Sequence, residues 1–496
     1  MKLLKMLLII FIIFWAILIS CGSNEKSEAK ETTTNNVPNE ISETTTSIIK
    51  PDLPDMDFGG AVYKVLGRTD PVYAFNFANF EIYAESITGD LINDAVYERN
   101  ARLEEKYNCT IEQDLVQNPE DVLTKSIAAG DDIYSLAFGR MTQVGALAQK
   151  GNFYDLNSLK YLDFSKPWWS QEVNKAVSVE GRLYYTTGDF NLIEKALTYI
   201  LLYNKDLAEA HELGLFYDFV YDNTWTIEKM TGLCTAVSSD IDGDGVMTDA
   251  DRWGLGMDSR NAFYAFVNAM DNFIVTKNNN DIPAITINND HTIASIDKTL
   301  RLTNDDTISL YCELFSGKVS YDFWLSAERS FFGGNSLFFA DFTQMLKKAS
   351  ANVEFNYGVM PYPKFDEKQE NYYTTPDPVG VSMLVIPSSV NDTDFASFIL
   401  EAICAASKYE VLPKYYEVSA KTKYTYDEES PIMLDIIFSG LRYDLGVIYD
   451  WGGLRVLFTT IIPSDGTNTF PSKYAALETK AFTQMETTLE AFRELP

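Results

Sequence analysis

Strand-like and helix-like stretches alternate from residue 62 onward, and this alternation limits what the chain can become. Residues 62–66, 110–116 and 133–138 are largely apolar runs of strand length. Between the first two lies 90–107, with Leu91, Ala95 and Leu103 near one face of a helical repeat and charges opposite. Asn118-Pro119-Glu120 reads as a helix start with proline at its first position, and Gly130 stands at the far end. Strands separated by helices need crossover connections, so parallel βαβ units and an α/β fold are expected. Open sheets of this kind take ligands beyond the carboxyl ends of their strands.

Two further β-like runs, 182–186 and 198–203, flank a polar break containing Gly188, Asp189 and Asn191. A helix is expected from Thr224-Trp225-Thr226 to about 237, with Trp225 in the core. A strand is expected over 252–257. Residues 276–304 are rich in Asn and Asp and read as a surface excursion. Strands near 338–343 and over 381–386, and helices over 393–408 and 474–492, complete the pattern. Trp168 and Trp169 are adjacent and cannot share one strand face, so one is expected packed and the other exposed. Tyr372, Tyr373 and Asp377 are expected on an exposed, turn-rich segment.

The amino terminus begins with Lys2 and Lys5, then an unbroken apolar stretch over 6–19, then Ser20 and Cys21. That order reads as a secretory signal. The stretch is shorter than the roughly 20 residues a membrane span needs; a signal-anchor helix is the alternative. Residues 22–57 are rich in Ser, Thr, Asn and Glu and read as a flexible tether. A net charge of −31 argues against nucleic acid, which needs a basic footprint. Cys109, Cys234, Cys312 and Cys404 are scattered, without C-x-x-C spacing. Two disulfides in three connectivities are conceivable, and buried free thiols are favoured. The two histidines, His211 and His291, lie too far from the cysteines and from each other to suggest zinc.

The sharpest local motif runs from Asp240 to Asp251. Asp240, Asp242, Asp244, Thr248 and Asp251 occupy positions 1, 3, 5, 9 and 12, Gly245 position 6, and Val246 offers its carbonyl at 7. Hard Ca²⁺ takes several oxygens, and this spacing wraps a loop around it. The residues after the loop read as a strand, so a structural clip is expected, not a sensor.

Several short sequences together resemble the extracellular solute-binding proteins of ABC importers, in the branch that includes the maltose-binding protein. They are Gly181-Arg182-Leu183-Tyr184 followed by Tyr203-Asn204-Lys205-Asp206-Leu207, and Tyr357-Gly358-Val359-Met360-Pro361-Tyr362-Pro363-Lys364. Leu18-Ile19-Ser20-Cys21-Gly22 looks like a bacterial lipobox, which implies a diacylglycerol anchor on Cys21. Each buried CH₂ would contribute about 0.8 kcal/mol to membrane attachment. The resemblance implies a two-lobe class II periplasmic-binding-protein fold with hinge crossings behind a disordered tether. It puts lobe 1 at 58–188 and 366–432 and lobe 2 at 189–365 and 433–496, with crossings marked by 181–184 together with 203–207, by 357–364, and near 425–435. It implies capture of a sugar or oligosaccharide for the permease subunits of an ABC transporter. The protein is then a monomer lipid-anchored at the outer face of the bacterial cytoplasmic membrane, with no catalysis. Candidate ligand contacts are Trp451, Asp189, Phe342, Tyr264, Trp169, Asp341, Tyr372 and Asp377. The rival readings are a secreted glycoside hydrolase, a binder of another polar solute such as a peptide, and a dockerin-like assembly protein. The last needs two calcium loops, and one is present.

Overall fold

The structure is a computed structural model that describes residues 48–69, 80–257, 262–416, 427–460 and 467–495. The chain divides into Met1–Ile48 and Ile49–Pro496, and everything below concerns the second unit. Cys21 and the tether up to residue 47 lie outside the described residues; residues 48–57 carry no regular secondary structure. No helix among the described residues is long and apolar enough to cross a membrane.

The strands are β1 (Ala61–Arg68), β2 (Cys109–Val116), β3 (Leu136–Arg140), β4 (Tyr199–Asn204), β5 (Trp253–Met257), β6 (Val275–Lys277), β7 (Pro283–Ile285), β8 (Ser309–Tyr311), β9 (Ser336–Phe342), β10 (Tyr357–Met360) and β11 (Ser382–Val385). One sheet has the order β11-β3-β1-β2, parallel except for β11. A second has the order β10-β4-β9-β5-β8, in which β4 runs against both of its neighbours. β6 and β7 form a separate hairpin.

The parallel pair β1–β2 is joined by the helix Leu91–Tyr107, as the alternating pattern requires. Asp90 starts that helix by accepting the N–H groups of Ile92 and Asn93. Asn108, at φ 48°, ends it and turns the chain into β2. β4 and β9 are buried along their whole length, which is why their sequences are nearly continuous apolar runs.

Several expectations need correction. Residues 182–186 do not form a strand; they make isolated bridges, of which Thr186 to Leu384 ties the segment to β11. The segment 276–304 is not a surface excursion. It holds β6, β7 and the helix Asp290–Thr303, whose Ser295, Ile296, Thr299 and Leu300 are buried. A polar sequence can pack there because Ser295, Thr299 and Thr303 donate to carbonyls one turn back, at 2.8, 2.9 and 3.0 Å. Trp168 and Trp169 are both buried, on a turn and not a strand, and their indole N–H groups share the carboxylate of Glu401.

Among the described residues the chain passes between the sheets at two places close together in space. The first passage ends at Thr198, which pairs with Pro376 just before β4. Residues 357–364 do not cross: β10 is an edge strand of the second sheet, and the passage comes at 374–377. The helix Thr393–Glu410 packs on Leu91–Tyr107, while Asp427 already bonds Lys205 and Tyr217 beside β4. The helix ending at 410 and the segment from 427 thus lie with different sheets; residues 417–426, including 425–426 of the expected stretch, lie outside the described ones. Cys109, Cys234, Cys312 and Cys404 are buried free thiols.

Candidate functional site

β1 ends at Arg68 and β9 ends at Phe342. The loop 377–380, which leads from the second sheet into β11, stands between them. Arg68 Nη1 donates to the carbonyls of Val379 and Gly380 at 2.8 and 3.1 Å. Asp377 grips the same loop from within, accepting the N–H groups of Val379 and Gly380 at 3.1 and 2.9 Å. Burial raises the pKa of the Asp377 carboxyl, although these amides and the charges of Arg68 and Arg455 pull the other way.

Asp341 is the next acid. It sits at the end of β9, 4% exposed, and accepts the N–H of Phe342 at 2.7 Å. Burial pushes its carboxyl up to about 8; the Phe342 amide opposes this, Glu328 and Asp377 add to it, and Lys348 offsets part. The Phe342 ring lies 4.5 Å from that of Tyr199, which lies 6.1 Å from Tyr362, which lies 4.5 Å from Phe266. Arg455 pairs with Asp450 at 3.5 Å, and its buried Nε has no hydrogen-bond partner among the described residues. Two carboxylates, the Arg68 guanidinium and a row of rings thus gather near the strand ends of both sheets, with Arg455, on the helix Leu454–Thr459, in electrostatic reach of Asp377. Hydroxyls can be accepted by the acids and donated to by the arginines, while C–H faces can lie on rings.

Of the sequence-derived candidates, the structure brings Asp341, Phe342 and Asp377 together. It places the others elsewhere. Trp451 is 3% exposed: its indole donates to Thr488 at 2.9 Å and its face is covered by Tyr449, 4.8 Å away and nearly parallel. Trp169 donates to Glu401 at 2.9 Å. Asp189 pairs with Lys408 at 3.2 Å, and burial raises its pKa. Tyr264 donates to Asp444 at 3.0 Å and packs on Phe458. Tyr372 and Asp377 are buried, not exposed, because their segment runs between Tyr199 and Gly440 as an inner strand-like link. Arg68 and Arg455 escaped the sequence reading. An arginine closing the first parallel strand is a signal that the strand-end rule could have used for Arg68.

In the loop Asp240–Asp251, one carboxylate oxygen each of Asp240, Asp242 and Asp244 lies within 4.8 Å of the others. Asp240 accepts the N–H groups of Gly243 and Gly245 at 2.8 and 2.7 Å, which sets the turn; Gly245 has φ 82°. Asp251 is 3% exposed and accepts the amides of Ile241 and Thr248 and the Thr248 hydroxyl. Val246 is exposed at the loop tip. Three converging hard oxygen donors fit a Ca²⁺-sized cation.

No protein-family model matches the chain, and no curated protein matches it. Solved structures do. A cyclo/maltodextrin-binding protein complexed with maltotetraose aligns at a TM-score of 0.53 and 14% identity, over 88% of this chain and 98% of that one. An ABC substrate-binding protein from Listeria monocytogenes in complex with cycloalternan gives 0.52 and 14%, over 88% and 100%. The maltose/maltodextrin-binding domain from Bdellovibrio bacteriovorus bound to maltotriose gives 0.50 and 14%, over 87% and 99%. The chain has their two-lobe α/β fold.

Proposed function

We propose that this protein captures an oligosaccharide between its two sheets and hands it, unchanged, to an ABC importer. The observation that carries this reading is the meeting of Arg68, Asp341, Phe342 and Asp377 at the strand ends of both sheets. It is supported by a fold shared with proteins solved around maltotetraose, cycloalternan and maltotriose. The acids and Phe342 are almost wholly buried, so a solute enters only if the two halves part and then close on it. In this reading Cys21 carries the lipid, the tether holds the monomeric binding unit off the outer membrane face, and the closed form meets the permease.

The test is a thermal-shift panel of purified protein against maltotetraose and other oligosaccharides, with product analysis alongside. A true ligand at about one hundred times its Kd should add about 2.7 kcal/mol, which is about 3 °C in Tm for a folded unit of this size. No cleaved product should form. Turnover would favour the glycosidase reading instead, in which Asp341, with its raised pKa, would serve as the acid of a carboxylate pair.

We further infer that Asp240, Asp242 and Asp244 hold Ca²⁺ as a structural clip, with the Val246 carbonyl, Thr248 and Asp251 completing the set. The cation would supply the positive charge that lets three carboxylates converge. Ca²⁺ removal by chelation is expected to lower Tm by several degrees while leaving oligosaccharide affinity within about twofold. Loss of ligand binding on chelation would refute a purely structural role.

A further inference from the structure

Sugar rings are held by flat apolar faces that a ligand can reach and by polar groups left free beside them. Trp168, Trp169, Trp225, Trp253 and Trp451 are buried, and the indole N–H of each donates to an acceptor within the protein. Trp324 differs on both counts. It is 50% exposed, and its indole N–H has no hydrogen-bond partner among the described residues. The Phe323 ring lies 4.6 Å away, tilted by 34°, and supports one side. No other ring and no cation among the described residues lies over Trp324. A large apolar face is thus left uncovered, with a free donor on its edge.

Its place is beside the strand-end cluster. Met257, the last residue of β5, pairs with Ala340 of β9, and Asp341 follows. The Cys312 thiol, just beyond β8, can donate to the carbonyls of Met257 and Trp324, 3.4 and 3.1 Å away. The Trp324 main chain is therefore tied to the end of β5, and β5 lies one strand spacing, about 4.8 Å, from β9. The helix Ser326–Phe332 starts soon after Trp324, and Glu328 in its first turn is within electrostatic reach of Asp341. The turn itself is fastened: Asp322 accepts the Trp324 N–H at 3.2 Å, and Ser326 donates to the Phe323 carbonyl at 2.8 Å. A ring fixed in advance loses little freedom when a ligand settles on it. Asp341 and Phe342 are covered, whereas Trp324 is open. A short oligosaccharide held at the acids ends inside the covered gap; the outer units of a longer one emerge from it, on the side where Trp324 stands.

We propose that Trp324 forms an outer subsite, stacking on a sugar unit beyond the covered strand-end cluster and so favouring longer oligosaccharides over disaccharides. This rests on the solute-binding reading above. The C–H face of a pyranose covers the free side of the indole, and a hydroxyl of a neighbouring unit accepts the indole N–H. The acids fix the inner units, and Trp324 reads chain length.

Calorimetric titration of the purified protein with maltose and maltotetraose, and with cellobiose and cellotetraose, tests this. In whichever linkage the wild type accepts, Trp324→Ala is expected to weaken the tetrasaccharide about tenfold and leave the disaccharide within about twofold. Trp324→Phe keeps a smaller face and loses the donor, and should weaken the tetrasaccharide about threefold. Both variants should melt within about 1 °C of the wild type, because the side chain is exposed. The saturating tetrasaccharide should move tryptophan emission to shorter wavelength in the wild type and much less in Trp324→Phe, a signature that a merely structural role would not give. Equal weakening of both chain lengths by Trp324→Ala would mean that no separate outer subsite exists. Unchanged affinity for both would leave the exposed ring to a protein partner. Either result overturns the proposal while the solute-binding reading stands. A wild type that binds none of the four sugars sinks that reading, and the outer subsite with it.

Discussion

Glu401→Leu is expected to lower the unfolding free energy by about 3–5 kcal/mol. The Glu401 carboxylate accepts the indole N–H of Trp168 at 3.0 Å and that of Trp169 at 2.9 Å, and the Asp163 amide at 3.3 Å. Both tryptophans are almost wholly buried, so leucine would strand two donors away from water, each costing about 1–3 kcal/mol. Glu401→Gln is expected to cost about 2 kcal/mol, because one indole would then face an amide N–H. A pH signature accompanies this. Burial pushes the Glu401 carboxyl up to about 7, against the pull of the indoles and the Asp163 amide. The folded state thus favours the protonated acid. Its contribution, about 3 kcal/mol, is complete below the ordinary glutamate range near 4.5 and is lost as pH rises through 7. Urea unfolding at pH 5 and pH 8 should show this loss in the wild type and not in Glu401→Leu. Equal pH dependence in the two proteins would contradict it.

Asp341→Ala is expected to weaken oligosaccharide binding about thirtyfold, the loss of about 2 kcal/mol that a strong buried hydrogen bond carries. Asp341→Asn should be far milder at pH 7. Burial keeps the Asp341 carboxyl neutral up to about 8, and asparagine is a neutral group of the same shape. Above that pH the wild-type acid ionises and asparagine does not, so the two affinities should separate at pH 9. Calorimetric titration of an oligosaccharide that raises Tm checks both points. Unchanged affinity in Asp341→Ala would remove this residue from the site.

The alternation of strands and helices was readable because each element buries one face locally, and β1, β2, β4 and the helices at 91–107 and 393–410 fall close to their expected places. The site was only partly readable. Asp341 and Phe342 stand where a strand end puts them, and that rule applies within a short stretch of sequence. Arg68 meets Val379 across 311 positions, and no period in the sequence reports such a meeting. Tryptophans misled for a related reason. Trp168, Trp169 and Trp451 are large, part-polar side chains that suit a sugar face, yet each suits a core equally once a buried acceptor is near. Glu401 and Thr488, hundreds or tens of residues onward, supply those acceptors. Hydroxyl-rich helix faces such as that of 290–303 were hidden because their donors are satisfied within their own backbone.

The path of the chain bears on its birth as well as its closure. β11, the outer strand of the first sheet, is made only after every strand of the second. The final helix is then pinned by Arg182, which donates to the carbonyls of Phe492 and Leu495 at 2.7 and 3.0 Å. A nascent polypeptide that has reached residue 380 still lacks the edge that completes its first half, and contacts this distant in sequence form slowly. The first half of the fold can therefore close only once β11 and the helix Phe470–Glu494 have both been made.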